Sequence, residues 1–146
     1  MKLLITGDVH GLEQLLIDVI SANLDVDLKL NTGDLQISDN FVRENGLIAV
    51  RGNCDFYTEF NDEEIIVYDN RKILLVHGHL FNVKYSINEL VSYAKSKSVD
   101  ICIFGHTHIP YEKIIDGIHF INPGALNHFK PTYAIYDNGK VTFKII

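Results

Sequence analysis

Apolar residues in this chain come in short runs that stop abruptly at glycine and a polar side chain. KLLIT (2–6) is a β-rich run cut off by GDVHG. LEQLLIDVISANL (12–24) then places Leu12, Leu15, Leu16, Val19 and Ile20 at helical spacing. DLKLN (27–31) is a second short strand followed by TGD, and LIAV (47–50) a third followed by RGNCD. Between them DNFVREN has the length of one or two helical turns, with Gly46 placed to end them. EEIIVYD and RKILLVH flank the turn DNR and read as a hairpin. SINELVSYAKSK (86–97) is amphipathic; Ser86 is a predicted N-cap, and Glu89 stands three residues on, the spacing of a capping box. DICIF follows, then GHTHIP, then the short runs YEKIID, IHFIN, TYAIYD and KVTFKII, split by DG, NPG and DNG.

The front half alternates strand with helix or loop, and the back half reads as mostly antiparallel. That pattern predicts a mixed α/β fold with more than one sheet. In such sheets ligands gather beyond the carboxyl ends of the strands. Five strand ends carry reactive residues: Asp8 and His10, Asp34, Asn53, His77, and His106 with His108. Each segment also holds a glycine, which permits close backbone approach to a shared centre.

Composition narrows the use of those residues. At 146 residues the chain fits a single domain, 1–146. The formal net charge is −6 with no cluster of Lys and Arg, which argues against sequence-independent nucleic-acid binding. An acidic protein can still act on a phosphate ester if bound cations supply positive charge. The N-terminal apolar run is too short for a signal peptide, and no stretch is long enough to span a bilayer. Cys54 and Cys102 make no disulfide framework, so a reducing, cytoplasmic setting is expected.

Two aspartates, four histidines and one asparagine form a donor set suited to borderline metals such as zinc, iron, manganese and nickel. No thiolate set is present, which argues against a structural zinc ribbon. Seven side chains exceed the needs of one closed site. They suit two ions roughly 3.5–4 Å apart, bridged by one carboxylate and leaving positions open for water. Taken singly, each residue has an ordinary reading: Asp8 caps the helix from residue 12, Asn53 is a turn residue, His119 and His128 are satisfied or surface histidines, and Asp55 and Arg51 pair or face solvent.

The ordered set GDVHG, GD, GNCD, HGH and GHTH resembles the calcineurin-like metallophosphoesterases, closest to their small single-domain phosphodiesterase branch, from residue 7 to about residue 125. The resemblance implies two packed mixed β-sheets flanked by helices, a four-layer αββα sandwich, with the metal centre at the strand ends. It assigns one divalent ion to Asp8, His10, Asp34 and His108, and a second to Asp34, Asn53, His77 and His106, with Asp34 bridging. The implied reaction is direct attack of a metal-bridging water or hydroxide on phosphorus, with Asn53 touching a phosphoryl oxygen. On this reading, extended backbone over His106–His108 turns both rings to one side, each toward a different ion. His79, the second histidine of HGH, is a candidate substrate contact.

Larger members of that family carry a histidine after the asparagine; here Cys54 stands in its place. A thiol is a poor general acid for an alkoxide leaving group, so diesters are expected over alkyl monoesters. Cys54 is retained as a candidate substrate contact. The fold also occurs in a retromer subunit that serves as a scaffold, so an interaction protein is the alternative, with monoesterase and nuclease activities open within the enzyme reading. The expected partner is a small phosphate ester. Strand edges in the tail leave pairing between copies open.

Overall fold

The computed structural model describes residues 1–146. Its elements run β1 (Lys2–Thr6), α1 (Glu13–Ser21), β2 (Leu28–Asn31), α2 (Asp39–Glu44), β3 (Leu47–Ala49), β4 (Glu63–Tyr68), β5 (Arg71–Val76), a 3₁₀ turn (His79–Phe81), α3 (Asn88–Ser96), β6 (Ile101–Ile103), β7 (Tyr111–Ile115), β8 (Ile118–Asn122), β9 (Thr132–Asp137) and β10 (Lys140–Ile145). They form two five-stranded sheets, ordered β10-β9-β1-β2-β3 and β4-β5-β6-β8-β7.

Both sheets are mixed. β1, β2 and β3 run parallel, joined through α1 and α2, while β9 and β10 add antiparallel partners. In the second sheet β5 pairs parallel with β6, and β6 with β8, so the back half is less antiparallel than its hairpin signals predict. The reason is local: α3 carries the chain from β5 to a parallel β6, and the β7–β8 hairpin folds back with β8 innermost.

Side-chain alternation builds four layers. Leu3 and Ile5 of β1 face Ile73 and Leu75 of β5 and Ile101 and Ile103 of β6, in a core between the sheets. Leu4, pointing the other way, packs with Leu16, Val19 and Ile20 of α1 and Val42 of α2. Leu74 and Val76 likewise face Leu90 and Ala94 of α3. Strands covered on both faces need apolar residues at every position, which is why KLLIT and ILLV read as unbroken runs. Truncating Leu75 to Ala would cost about 2–5 kcal/mol.

Helix ends depart from the pattern. The first helix stops at Ser21, where Asn23 turns its amide back onto the Val19 carbonyl at 2.8 Å and the Tyr133 hydroxyl at 3.2 Å. The capping box at Ser86 does not form: α3 starts at Asn88, the Ser86 hydroxyl accepts from the Asn88 N–H at 3.3 Å, and the Glu89 carboxylate takes the Asn82 amide instead. α2 is capped by Ser38, which accepts from the Phe41 N–H, and ends at Glu44 with Asn45 as its C-cap, the expected Gly46 following in the left-handed region at φ 71°. No helix is long and apolar enough to cross a membrane.

Candidate metal centre

The carboxyl ends of β1, β2, β3, β5 and β6 come together on one edge of the sandwich, and all seven expected donors lie there. Asp8 and Asp34 are buried beneath the histidines, Asn53 is exposed at the rim, and His77 is buried on the floor. Two glycines make the approach feasible. A Cβ on Gly52 would stand 2.1 Å from an Asp34 carboxylate oxygen, and one on Gly105 would stand 2.4 Å from the Thr32 hydroxyl.

The nitrogen tautomers can be read from the partners. His77 Nδ1 lies 2.8 Å from the Thr32 carbonyl, which only accepts, so Nδ1 carries a proton and a neutral ring offers its Nε2 lone pair inward. Around that Nε2 stand Asn53 Oδ1 at 2.9 Å, His106 Nδ1 at 3.2 Å and Asp34 Oδ2 at 3.3 Å. His10 repeats the logic: Nδ1 meets Gln36 Oε1 at 2.7 Å, leaving Nε2 between Asp8 Oδ1 at 3.8 Å and Asp34 Oδ2 at 3.7 Å. His108 Nε2 points at Asp8 Oδ1 from 3.3 Å. Asp8 Oδ1 and His10 Nε2 are buried and have no hydrogen-bond partner.

A convergence of acceptors without donors is costly unless something positive sits among them. Donors sharing one cation at about 2.0–2.2 Å stand roughly 3–3.5 Å apart, which these spacings approach. The residues therefore fit divalent cations. Close sets include Asp8, His10 and His108, and Asp8, Asp34 and His77. Cys54 Sγ also falls within reach of His10 and Asp34.

The backbone here is left-handed at five positions. Asp8, His10, Asp34, His106 and His108 have φ of 50°, 46°, 56°, 70° and 65°, a region that few residues with a Cβ adopt, Asp and His being among those that enter it most readily. Extended backbone at His106–His108 is thus corrected. The two rings diverge because each residue is left-handed: His106 turns to His77 and His108 to Asp8.

Electrostatics follow the geometry. Burial opposes ionisation of Asp34, but His77, the Cys54 N–H and His10 outweigh it and hold the carboxyl down at about 2. Burial, then the neighbouring His77, pushes His106 down to about 4. His108 is raised by its contact with Asp8. In His77 burial is outweighed by the two aspartates, and the ring is raised. Burial and the nearby Asp34 raise the Cys54 thiol, so it stays protonated at neutral pH.

Four supporting residues stand outside the expected donor set. Gln36 fixes the His10 tautomer. Asp55 accepts from the N–H groups of Asp34, Gly52 and Gln36, tying the β2 and β3 loops together, while Arg51 pairs with Asp62. Buried Asn31 bonds the Thr6 hydroxyl and the Gly33 N–H. Buried Asn122, from the NPG turn, bonds the Gly105 carbonyl, the Thr107 hydroxyl and the Gly124 N–H. The sequence signal for the two asparagines was a polar residue closing an apolar strand.

The remaining candidates lie as follows. The His79 ring lies tilted against its neighbours, 5.4 Å from His77 and 6.1 Å from His106 between centroids, its Nδ1 buried and unpartnered. Cys54 is half-buried, and its N–H donates to Asp34 Oδ1 at 2.8 Å. His119 is a satisfied core histidine, paired with Glu112 at 2.7 Å, and His128 is an exposed residue that accepts from the Lys130 N–H.

Comparisons with known proteins identify the family and the fold. A family model described as the calcineurin-like phosphoesterase superfamily domain matches residues 1–140. The chain is 35% identical over 127 residues to the probable metallophosphoesterase YsnB of Bacillus subtilis, covering 86% of this chain and 75% of that one. It is 27% identical over 104 residues to the phosphodiesterase YfcE of Escherichia coli, covering 63% of this chain and 53% of that one. Among solved structures, a conserved uncharacterized protein of Streptococcus pneumoniae, a predicted phosphoesterase, superposes with a TM-score of 0.87 at 24% identity over 99% of this chain and 88% of that one. A zinc complex of Vps29 from Entamoeba histolytica superposes at 0.80 with 25% identity, over 100% of this chain and 98% of that one. The chain belongs to the calcineurin-like phosphoesterase superfamily.

Proposed function

We propose that this chain is a two-metal phosphodiesterase, a single catalytic unit over 1–146. Asp8, His10, Asp34 and His108 would hold one divalent cation, and Asp34, Asn53, His77 and His106 the other. The observation that carries the reading is the ring of acceptors around His77 Nε2 and the unpaired Asp8 Oδ1, which leaves a cation as the natural partner. When bound, such a pair supplies a water of lowered pKa and Lewis acidity toward phosphoryl oxygens. Manganese, iron, zinc and nickel all suit the donor set.

The chain's own residues do the rest. His77 and His10 are locked in one tautomer by Thr32 and Gln36, so both present lone pairs without reorganising. Asn53, exposed at the rim, is placed to donate its amide to a phosphoryl oxygen once its carbonyl is engaged. His79 stands beside the floor as a second substrate contact. Cys54, with its thiol proton held tightly, does not replace a histidine as general acid. Leaving groups that depart without a proton are favoured, hence diesters with acidic alcohols over alkyl monoesters. Two free cysteines and no disulfide suit a reducing, cytoplasmic setting.

The test is a metal-by-substrate screen on protein stripped of metal, with metal content measured alongside. We expect about two ions per chain and turnover of an aryl phosphodiester faster than of an alkyl monoester. Faster monoester cleavage would overturn the diester preference. Tight metal content with no hydrolysis of any ester would favour the scaffold reading.

A further inference from the structure

Beside the metal centre a groove of about 640 Å³ opens between the start of α2 and the loop after Asn53. It is continuous with the centre, since Gln36 and Cys54 line both. Its volume falls in the range of small-molecule sites and far exceeds the needs of one phosphoryl group. Phe56 and Tyr57 stand on its wall, 80% and 101% exposed. Large aromatic rings left open beside a reactive centre are stacking surfaces awaiting a flat partner.

The rest of the lining says what kind of partner. The Asn40 amide and the proton of the Ser38 hydroxyl give it hydrogen-bonding capacity, which does not suit an acyl chain. Its charges are three carboxylates, Asp39, Asp55 and Glu59, against one guanidinium, Arg43. That balance repels a second phosphate or a polyanionic chain. Two of the carboxylates also hold the walls: Asp39 accepts from the Thr58 hydroxyl at 2.7 Å and the Glu59 N–H at 2.8 Å, and Asp55 from three backbone N–H groups. The groove is therefore braced before anything binds.

We infer that this groove is the subsite for one alcohol arm of the substrate, and that the arm is an uncharged, flat, hydrogen-bonding group of the nucleoside class, stacked on Tyr57 and Phe56. This deepens the phosphodiesterase reading and rests on it for the phosphoryl end. It narrows the substrate to a diester with a single phosphate, one arm being a nucleoside.

The groove can be tested apart from the metals. Adenosine, which carries no phosphate, is titrated into metal-free protein while backbone amide resonances are followed. Shifts are expected in residues 36–43 and 54–59, and Tyr57→Ala should weaken binding about tenfold, the loss of one stacked base. Tyr57 is fully exposed, so its removal does not threaten the fold. In the metal-loaded protein, kcat/KM for thymidine 5′-(p-nitrophenyl phosphate) should exceed that for methyl p-nitrophenyl phosphate about tenfold, and Tyr57→Ala should bring the ratio toward one. Adenosine shifts absent from those segments, or an affinity unchanged in both Tyr57→Ala and Phe56→Ala, overturn the inference. Adenosine binding without hydrolysis of either ester supports the groove and counts against the metal-centre reading. Equal hydrolysis of both esters without adenosine binding does the reverse.

Discussion

The two ends of the same sheets use left-handed backbone in opposite ways. At the far end, Asp69–Asn70, Asp116–Gly117 and Asn138–Gly139 form two-residue hairpin turns, with φ between 47° and 97°. Asp, Asn and Gly enter that region cheaply, and the turn twist suits the strands they join. At the near end the left-handed residues include Asp8, His10, Asp34, Gln36, His106 and His108. Histidine and glutamine gain nothing there from local turn chemistry. What holds them is non-local: His10 N–H to the Asp34 carbonyl, Gln36 N–H to Asp55, His106 N–H to Asp8. Positive φ at the far end reports a connection, and at the near end it reports a constraint imposed to aim side chains.

The largest expected effect breaks the near end alone. Asp34→Asn removes the carboxylate that faces His77 and His10 and accepts the Cys54 N–H. An amide cannot serve two cations as a carboxylate does. Metal content should fall from the proposed two ions per chain to one or none, and activity by well over the roughly 10–100-fold typical of disturbing an outer partner. Elemental analysis with aryl-diester kinetics reads both; near-normal values would remove Asp34 from the bridging position.

A paired glycine substitution sharpens the contrast. Gly52→Ala puts a methyl group 2.1 Å from an Asp34 oxygen, so activity should drop steeply. Gly139→Ala meets nothing within 4 Å and only strains a φ of 97°. It should cost about 1 kcal/mol in urea unfolding and leave turnover unchanged. Similar activity losses in both would mean that the two ends are not independent.

Gln36→Leu comes next. It frees His10 to choose its tautomer without touching an expected ligand. The expected cost is about 10–100-fold in metal affinity, followed by metal titration. That a residue of this weight was invisible in the sequence is instructive. The convergence of Asp8, His10, Asp34, His77, His106 and His108 was legible because each borders a glycine-marked strand end, where the chain can aim a side chain inward. Gln36, Asp55, Asn31 and Asn122 act through hydrogen bonds to residues that only the fold brings near, and nothing in their neighbours' spacing records the partner. The sandwich was legible for the converse reason: strands buried on both faces must be apolar at every position. Helix ends were not, since Asn23 and Glu89 found partners other than the nearest N–H.

The smallest effect is a pH slope, and it lies wholly at the near end. In metal-free protein His106 is held at about 4 by burial and the neighbouring His77, whereas an ordinary histidine titrates near 6.5. Between those values the unfolded chain binds a proton that the folded chain does not. Stability therefore rises with pH across that window, and His106 erodes it as pH falls from about 6.5 toward 4. His77 and His108 are raised, so their contribution has the opposite sign: present below their ordinary value and lost as pH rises through the folded one. His106→Asn isolates the first component. Urea midpoints of metal-free wild type and variant, taken at pH 7, 6 and 5, should draw together or cross as pH falls, the variant losing less. A constant gap would show that His106 titrates normally, and the neutral imidazole that the proposed second cation requires would then not be built into the fold.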